Sequence, residues 1–361
     1  MFDSTVFDRL RSIGLAPALL QQLMARAEAA DATPPMRVAE VQREGLRLHD
    51  GDAEHAARLL PALRHRLADA DDAIAVGDWV FAQRNALGEW WVHERLPPLN
   101  QLARRLHDGR DKVTRTVIVS NVDTALLVMG LDHDFNLRRL ERYAALAGMA
   151  GVGAAVVLTK ADLCADVAAR LHEVHALLPQ GVAAVALNGQ DESAVAAALA
   201  PWLQPGQTLV LLGSSGAGKS TLTNALTAGL RQATGANRDG DNRGRHTTTT
   251  RSLHLTLHGA CIIDTPGLRT LRLDGEAGAV EAAFDDIARL APLCRYRDCR
   301  HEAEPGCAVR AAVPGERLRS WHKLLREARR DTQSALERKA QVQQWKARGR
   351  ESRLRIEAKR G

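Results

Sequence analysis

The spacing of apolar residues changes character several times along the chain. Residues 1–33 read as one or two short helices with polar breaks. From Met36 to about Asp111 the pattern shortens to β-like runs, "MRVAEVQREGLRL", "DAIAVGDWVFAQ" and "EWWVHERLP", separated by turn residues as in a small barrel. Within that stretch "EHAARLLPALRHRL" is a poor β run. Trp79 has alternating neighbours and is expected in the barrel core. Trp90 and Trp91 are adjacent, so on a strand they face opposite sides, and one is a candidate stacking surface for nucleic acid. From about Val113 to Asp285, apolar runs end repeatedly in polar or glycine-rich turns: "TVIVSNVDTALLVMG", "GAAVVLTKAD", "GVAAVALN", "QTLVLLGSSG" and "HLTLHGACIIDTPG". That is the pattern of an α/β domain with a mostly parallel sheet, whose ligands gather at the carboxyl ends of strands. A cysteine/histidine cluster follows, then a long helical tail in which Trp321, Leu324, Leu325 and Ala328 recur at helical spacing and predict a packed stripe. The expected organisation is a helical extension over 1–35, a barrel over 36–112, an α/β domain over 113–285 and a helical, cysteine-bearing region over 286–361.

Composition narrows the class. The 361 residues are 45% apolar and 25% charged, the balance of a soluble globular protein. The longest apolar stretch stops at Lys160, short of the ~18–20 residues a membrane span needs. The start, "MFDSTVFDRL", lacks a basic leader before an apolar run, so no signal peptide is expected and the chain is assigned to the cytoplasm. Three of the five cysteines crowd into 294–307, which points to metal binding rather than disulfides. The net charge of +6 is uneven: from Glu316 onward 15 Lys/Arg face 6 Asp/Glu, a net of +9, which leaves −3 for the rest. The tail therefore suits a polyanionic partner.

The candidate chemistry sits in four segments. "LVLLGSSGAGKST" is a strand, then Gly213-Ser214-Ser215-Gly216-Ala217-Gly218-Lys219-Ser220, then a helix beginning near Thr221. This is the full phosphate-loop pattern in its proper context, with backbone N–H groups cradling phosphates, Lys219 reaching the β- and γ-phosphates and Ser220 completing a Mg²⁺ shell. "CIIDTPG" supplies Asp264 as the second Mg²⁺ contact and Gly267 as an N–H able to meet a γ-phosphate. Between them, in "TGANRDGDNRGRHTTTTR", threonines 247–250 offer a hydroxyl that could join Mg²⁺ only when the γ-phosphate is present; spacing singles out none, and Thr248 is the working assignment. "VVLTKADL" places Thr159-Lys160-Ala161-Asp162 after a strand. Asp162 can accept two hydrogen bonds from guanine N1–H and N2–H₂, donors adenine lacks, and the Lys160 stem can lie over the purine. The base reader thus precedes the phosphate loop, an inverted order that a circular permutation explains, because a sheet tolerates a new cut point if its strand ends still converge. Finally, Cys294, Cys299, His301 and Cys307 make a closed tetrahedral zinc set suited to a structural role; Cys164 and Cys261 read as small apolar residues.

The permuted order, "DFNLRRLERY" at 134–143, "GRHTTTTR", "DTPG" and the Cys-x4-Cys-x-His-x5-Cys spacing together resemble the ribosome small-subunit-dependent GTPase A family over about residues 36–345. The resemblance implies a multidomain α/β protein: an N-terminal OB-like β-barrel, a circularly permuted P-loop GTPase domain and a C-terminal zinc-binding helical domain. It implies GTP hydrolysis during late maturation of the small ribosomal subunit, stimulated by that subunit, with rRNA as the polyanion, no membrane partner, and the chain acting as a monomer. The implied ligands are GTP/GDP, Mg²⁺ and one structural Zn²⁺. Position 268, where many GTPases carry a water-orienting glutamine, is leucine, and the resemblance suggests His246 as its substitute. Thr159 replaces the usual asparagine, which is expected to loosen the bonds around guanine. "VALNGQD" lacks the usual hydroxyl of a further base contact at Ala186 to Asn188. Two other readings fit fewer of these features: an RNA-binding module holding nucleotide only as a structural ligand, and a permuted GTPase of the large subunit.

Overall fold

The structure is a computed structural model that describes residues 4–27, 34–107, 113–178, 181–227, 251–265, 280 and 284–332. His246, Thr248, Gly267, Leu268 and the basic tail beyond 332 lie outside the described residues.

Five strands close a barrel: β1 (Met36–Val41), β2 (Leu46–His49), β3 (Glu54–Leu59), β4 (Trp79–Arg84) and β5 (Trp90–Arg95), in the order 1-2-3-5-4 with β4 returning to β1. Helix α3 (Pro61–Asp69) caps it between β3 and β4. The poor β run seen in the sequence is therefore two elements in succession, a strand ending at Leu59 and a helix opened by Pro61, a residue preorganised for a first helical turn. Val38, Leu48, Val80 and Val92 fill the interior, with Leu63 of α3 packed on them.

Helices α1 (Ser4–Ser12) and α2 (Pro17–Ala27) lie on the outside of β4, where Leu10, Ile13, Leu19 and Leu23 enclose Trp79. Between these helices Gly14 has φ +88°, and a Cβ there would sit 1.9 Å from the Arg37 guanidinium. Arg37 is wholly buried and donates to the carbonyls of Ile13 (2.5 Å) and Asn121 (3.2 Å), joining the extension, the barrel and the following domain.

After a two-stranded ribbon, β6 (Gln101–His107) and β7 (Val113–Ser120), come β8 (Thr124–Gly130), β9 (Gly153–Thr159), β10 (Ala183–Ala186), β11 (Thr208–Leu212), β12 (Ser252–Leu255) and β13 (Cys261–Asp264). Their order is β10-β9-β8-β11-β13-β12, parallel except for β12, which also touches β1 at Glu40. Strands β8 and β11 are buried along their full length, as unbroken apolar runs in a sheet covered on both faces must be. Helices α6 (Glu192–Leu199) and α7 (Lys219–Leu226) cover one face. On the other, α4 (Leu137–Met149) and α5 (Val167–Leu177) share a core with the C-terminal helices α8 (Asp285–Leu290), α9 (Ala308–Ala312) and α10 (Gly315–Thr332), including Trp321, Leu324, Leu325 and Ala328. Arg317 pins that contact, with its guanidinium paired to Asp286 (2.6 and 2.8 Å) and to the buried Glu141 of α4. Cys261 is buried, and burial pushes its thiol up to about 11, as befits an inert apolar position. Among the described residues, no helix is long and apolar enough to cross a membrane.

Candidate functional site

The carboxyl ends of β8, β9, β11 and β13 converge, and the candidate motifs meet there. After β11 the chain turns through 213–218 into α7. Helix α7 starts at Lys219, two residues earlier than the sequence suggests, because Gly218 (φ +93°) serves as its cap. Gly213 is required by space: a Cβ would stand 2.3 Å from the Val128 carbonyl oxygen of β8. Ser215 and Gly216 are exposed at the mouth, while Ala217 is buried beneath. The Lys219 ammonium bends back over the loop, donating to the carbonyls of Gly213 (2.9 Å) and Ser214 (2.6 Å). Ser220 and Thr221 stand in the first turn of α7, half-buried, where N–H groups and helix dipole favour an anion.

Asp264 ends β13, nearly buried, in a strand paired with β11. The Thr265 hydroxyl donates to the Leu211 carbonyl (2.7 Å) and fixes the chain after Asp264 onto the strand that feeds the phosphate loop. Sequence reasoning missed this tie; the threonine inside "DTPG" was its only signal.

The candidate base-reading segment closes the site from the other side. Thr159 ends β9, and its hydroxyl donates to the Ala217 carbonyl at 2.7 Å. The threonine therefore couples the 159–162 segment directly to the 213–218 loop. Lys160 takes a left-handed conformation (φ +57°), uncommon for a residue with a side chain, and its ammonium pairs with Asp132 at 2.6 Å. A 3-10 turn over Ala161–Leu163 then exposes the Asp162 carboxylate. The Ala186–Asn188 segment lies alongside, with Ala161 N–H donating to the Leu187 carbonyl (3.3 Å) and Leu187 N–H to that of Leu158 (2.9 Å). The Asn188 side chain is engaged by the backbone N–H of Gln190.

In the C-terminal region, Cys294, Cys299, His301 and Cys307 bring their ligand atoms within 4.8 Å of one another. His301 Nδ1 faces the sulfurs of Cys294 (3.6 Å) and Cys307 (3.4 Å), and Trp321 of α10 lies with its ring 5.5 Å from the imidazole. Three thiols and one imidazole converging at this range, with no disulfide, match a tetrahedral zinc donor set. On the barrel, Trp90 packs toward the core beneath Arg84. Trp91 faces the other way, with Arg58 against it, and lines a cavity of about 470 Å³ with Gln83 and His93.

Comparison with known proteins agrees with this geometry. The RsgA GTPase family model matches residues 96–274. The chain is 46% identical over 280 residues to "Small ribosomal subunit biogenesis GTPase RsgA" of Xylella fastidiosa (strain 9a5c), covering 77% of this chain and 80% of the relative. It is 44% identical over 288 residues to the protein of that name from Xanthomonas campestris pv. campestris (strain B100), covering 79% and 76%. Among solved structures, YjeQ from Thermotoga maritima superposes with a TM-score of 0.59 at 23% identity, over 82% of this chain and 98% of that one. YloQ, described as a circularly permuted GTPase, gives 0.57 at 23% identity, over 84% and 98%. The structural likenesses establish the permuted fold; on the strength of the sequence matches, the chain belongs to the RsgA GTPase family.

Proposed function

We propose that this GTPase acts on the small ribosomal subunit in the cytoplasm, as a monomer, hydrolysing GTP late in the subunit's maturation while its barrel and zinc-bearing region touch rRNA. The observation that carries the nucleotide half is the Thr159–Ala217 bond, by which two loops in inverted order enclose one site. The subunit half draws on relatives that are named for small-subunit biogenesis and share 44–46% of aligned residues with this chain.

In this reading Asp162 accepts the guanine N1–H and N2–H₂, and the Lys160 stem covers the ring. N–H groups of 214–221 hold the phosphates, and Lys219 leaves its two carbonyl partners for the β- and γ-oxygens. Ser220 and Asp264, with Thr248, would hold Mg²⁺, which offsets phosphate charge when bound. Gly267 N–H meets the γ-phosphate, and His246 orients the attacking water where Leu268 cannot. Cys294, Cys299, His301 and Cys307 would hold Zn²⁺, which cross-links the segment before α10. Trp91, flanked by Arg58, offers a stacking face to an unpaired base. Turnover without the subunit is slow.

Co-sedimentation with separated ribosomal subunits tests this. Loaded with a non-hydrolysable GTP analogue, the protein pellets with small subunits, and with GDP it is released. Pelleting with large subunits, or indifference to the nucleotide, contradicts the reading.

A further inference from the structure

The "DHDFN" turn after β8 supplies two carboxylates that the reaction just described leaves unused. Its form is fixed from within: Asp132 Oδ1 accepts from Asp134 N–H (2.9 Å), Phe135 N–H donates to the Asp132 carbonyl (3.0 Å), and Asn136 caps α4 by accepting from Arg139 N–H (3.0 Å). Gly130 makes room beneath, since a Cβ would sit 2.8 Å from Asp132 and 3.4 Å from the Lys160 stem. The Asp132 and Asp134 side chains are only 17% and 13% exposed, low for surface-turn aspartates. Each reaches one half of the nucleotide site. Asp132 Oδ2 holds the Lys160 ammonium at 2.6 Å, and Asp134 Oδ2 accepts from the Ser214 hydroxyl at 2.5 Å. Asp134's other oxygen pairs with Arg139, which lowers the cost of a carboxylate near bound phosphates.

We propose that Asp132 and Asp134 are positioning residues for nucleotide binding: one fixes the base-reading lysine, the other fixes Ser214 of the phosphate loop, and the rigid turn between them sets the spacing of the two loops. The Thr159–Ala217 bond is the inner tie across the site, and this turn is the outer one. Lys160 adopts an unfavourable backbone conformation, and the ion pair to Asp132 holds its stem where a purine would lie. Ser214 belongs to the run of backbone N–H groups that would face the phosphates, so a displaced Ser214 also disturbs the phosphate cradle. A single turn thus acts on both ends of one nucleotide, and its loss is felt in binding more than in the chemical step.

The inference rests on the nucleotide reading above, and fluorescent-GDP titration with steady-state GTP turnover on the full-length protein separates the two. Asp132→Asn and Asp134→Ala are each expected to raise the GDP Kd and the GTP KM about tenfold, the loss typical of a charge-assisted hydrogen bond, with kcat within about twofold. Ser214→Ala should match Asp134→Ala, and the double variant should be no weaker than Asp134→Ala alone, because both delete one contact. Asp134→Asn, which keeps an acceptor oxygen for Ser214, should recover most of the affinity. Ser214→Ala leaves the start of α4 intact and still reads the contact if Asp134→Ala folds poorly. Unchanged Kd in Asp132→Asn and Ser214→Ala, or losses that multiply in the double variant, would overturn the proposal. A wild-type protein without guanine preference would instead sink the nucleotide reading itself.

Discussion

The phosphate loop and the base-reading loop face the same site but hold their shapes by different means. The phosphate loop is shaped mainly by its own chain: Gly213 lets it pass against β8, Gly216 and Gly218 take positive φ, and its lysine is anchored on its own carbonyls, with one bond each added by Asp134 and Thr159. The base-reading loop contains no glycine. Lys160 is left-handed nonetheless, and the loop is held by Ala217, Asp132 and Leu187, three partners far away in sequence. A borrowed shape depends on every lender, so changes at Asp132 or Leu187, remote in sequence, can alter this loop while leaving the phosphate cradle intact.

The largest expected effect falls on the self-shaped loop. Gly213→Val puts a branched side chain against the Val128 carbonyl, which cannot move without distorting β8, and should weaken GDP binding by about a hundredfold or more, read by fluorescence titration. Near-normal binding would show that the loop does not depend on its own backbone.

The same contrast explains what could be read from sequence. Nine consecutive letters, "GSSGAGKST", carry the phosphate loop because its chemistry is local. The parallel strands were legible as apolar runs ending in turns, and the cysteine cluster as closely spaced ligands. The barrel was harder where a strand and a helix share one stretch at Leu59–Pro61. The bond from Thr159 to the Ala217 carbonyl was not legible, because the two lie 58 residues apart. The roles of Gly14, Arg37 and Arg317 arise only when distant elements pack, so no local pattern announces them.

A smaller effect is expected from Thr159→Val, which keeps the volume but removes the hydroxyl from the Ala217 carbonyl. A lost hydrogen bond of about 1–1.5 kcal/mol corresponds to roughly tenfold or less in GDP affinity, and Thr159→Ser should retain most of it. If valine binds as well as threonine, the base-reading loop does not lean on its neighbour.

The smallest effect is in pH. Burial alone would raise the Asp132 carboxyl, but hydrogen bonds from Lys160 and the Asp134 N–H hold it below the ordinary carboxylate value. A depressed folded pKa means the pair persists through neutral and mildly acid pH and is lost only as pH falls below about 4. The affinity gap between wild type and Asp132→Asn should therefore be constant from pH 8 to about 5 and close only in stronger acid. A gap that closes near neutrality would mean the carboxylate is not held by that ion pair.

The proposed site is one guanine nucleotide enclosed by a base reader and a phosphate loop that are inverted in chain order. Calorimetric titration of wild type and Asp162→Ala with GDP and with ADP tests it most directly. Wild type is expected to prefer GDP by about a hundredfold or more, and Asp162→Ala to lose most of that preference while keeping its affinity for ADP. Equal binding of GDP and ADP by wild type, or a preference that survives in Asp162→Ala, would contradict it.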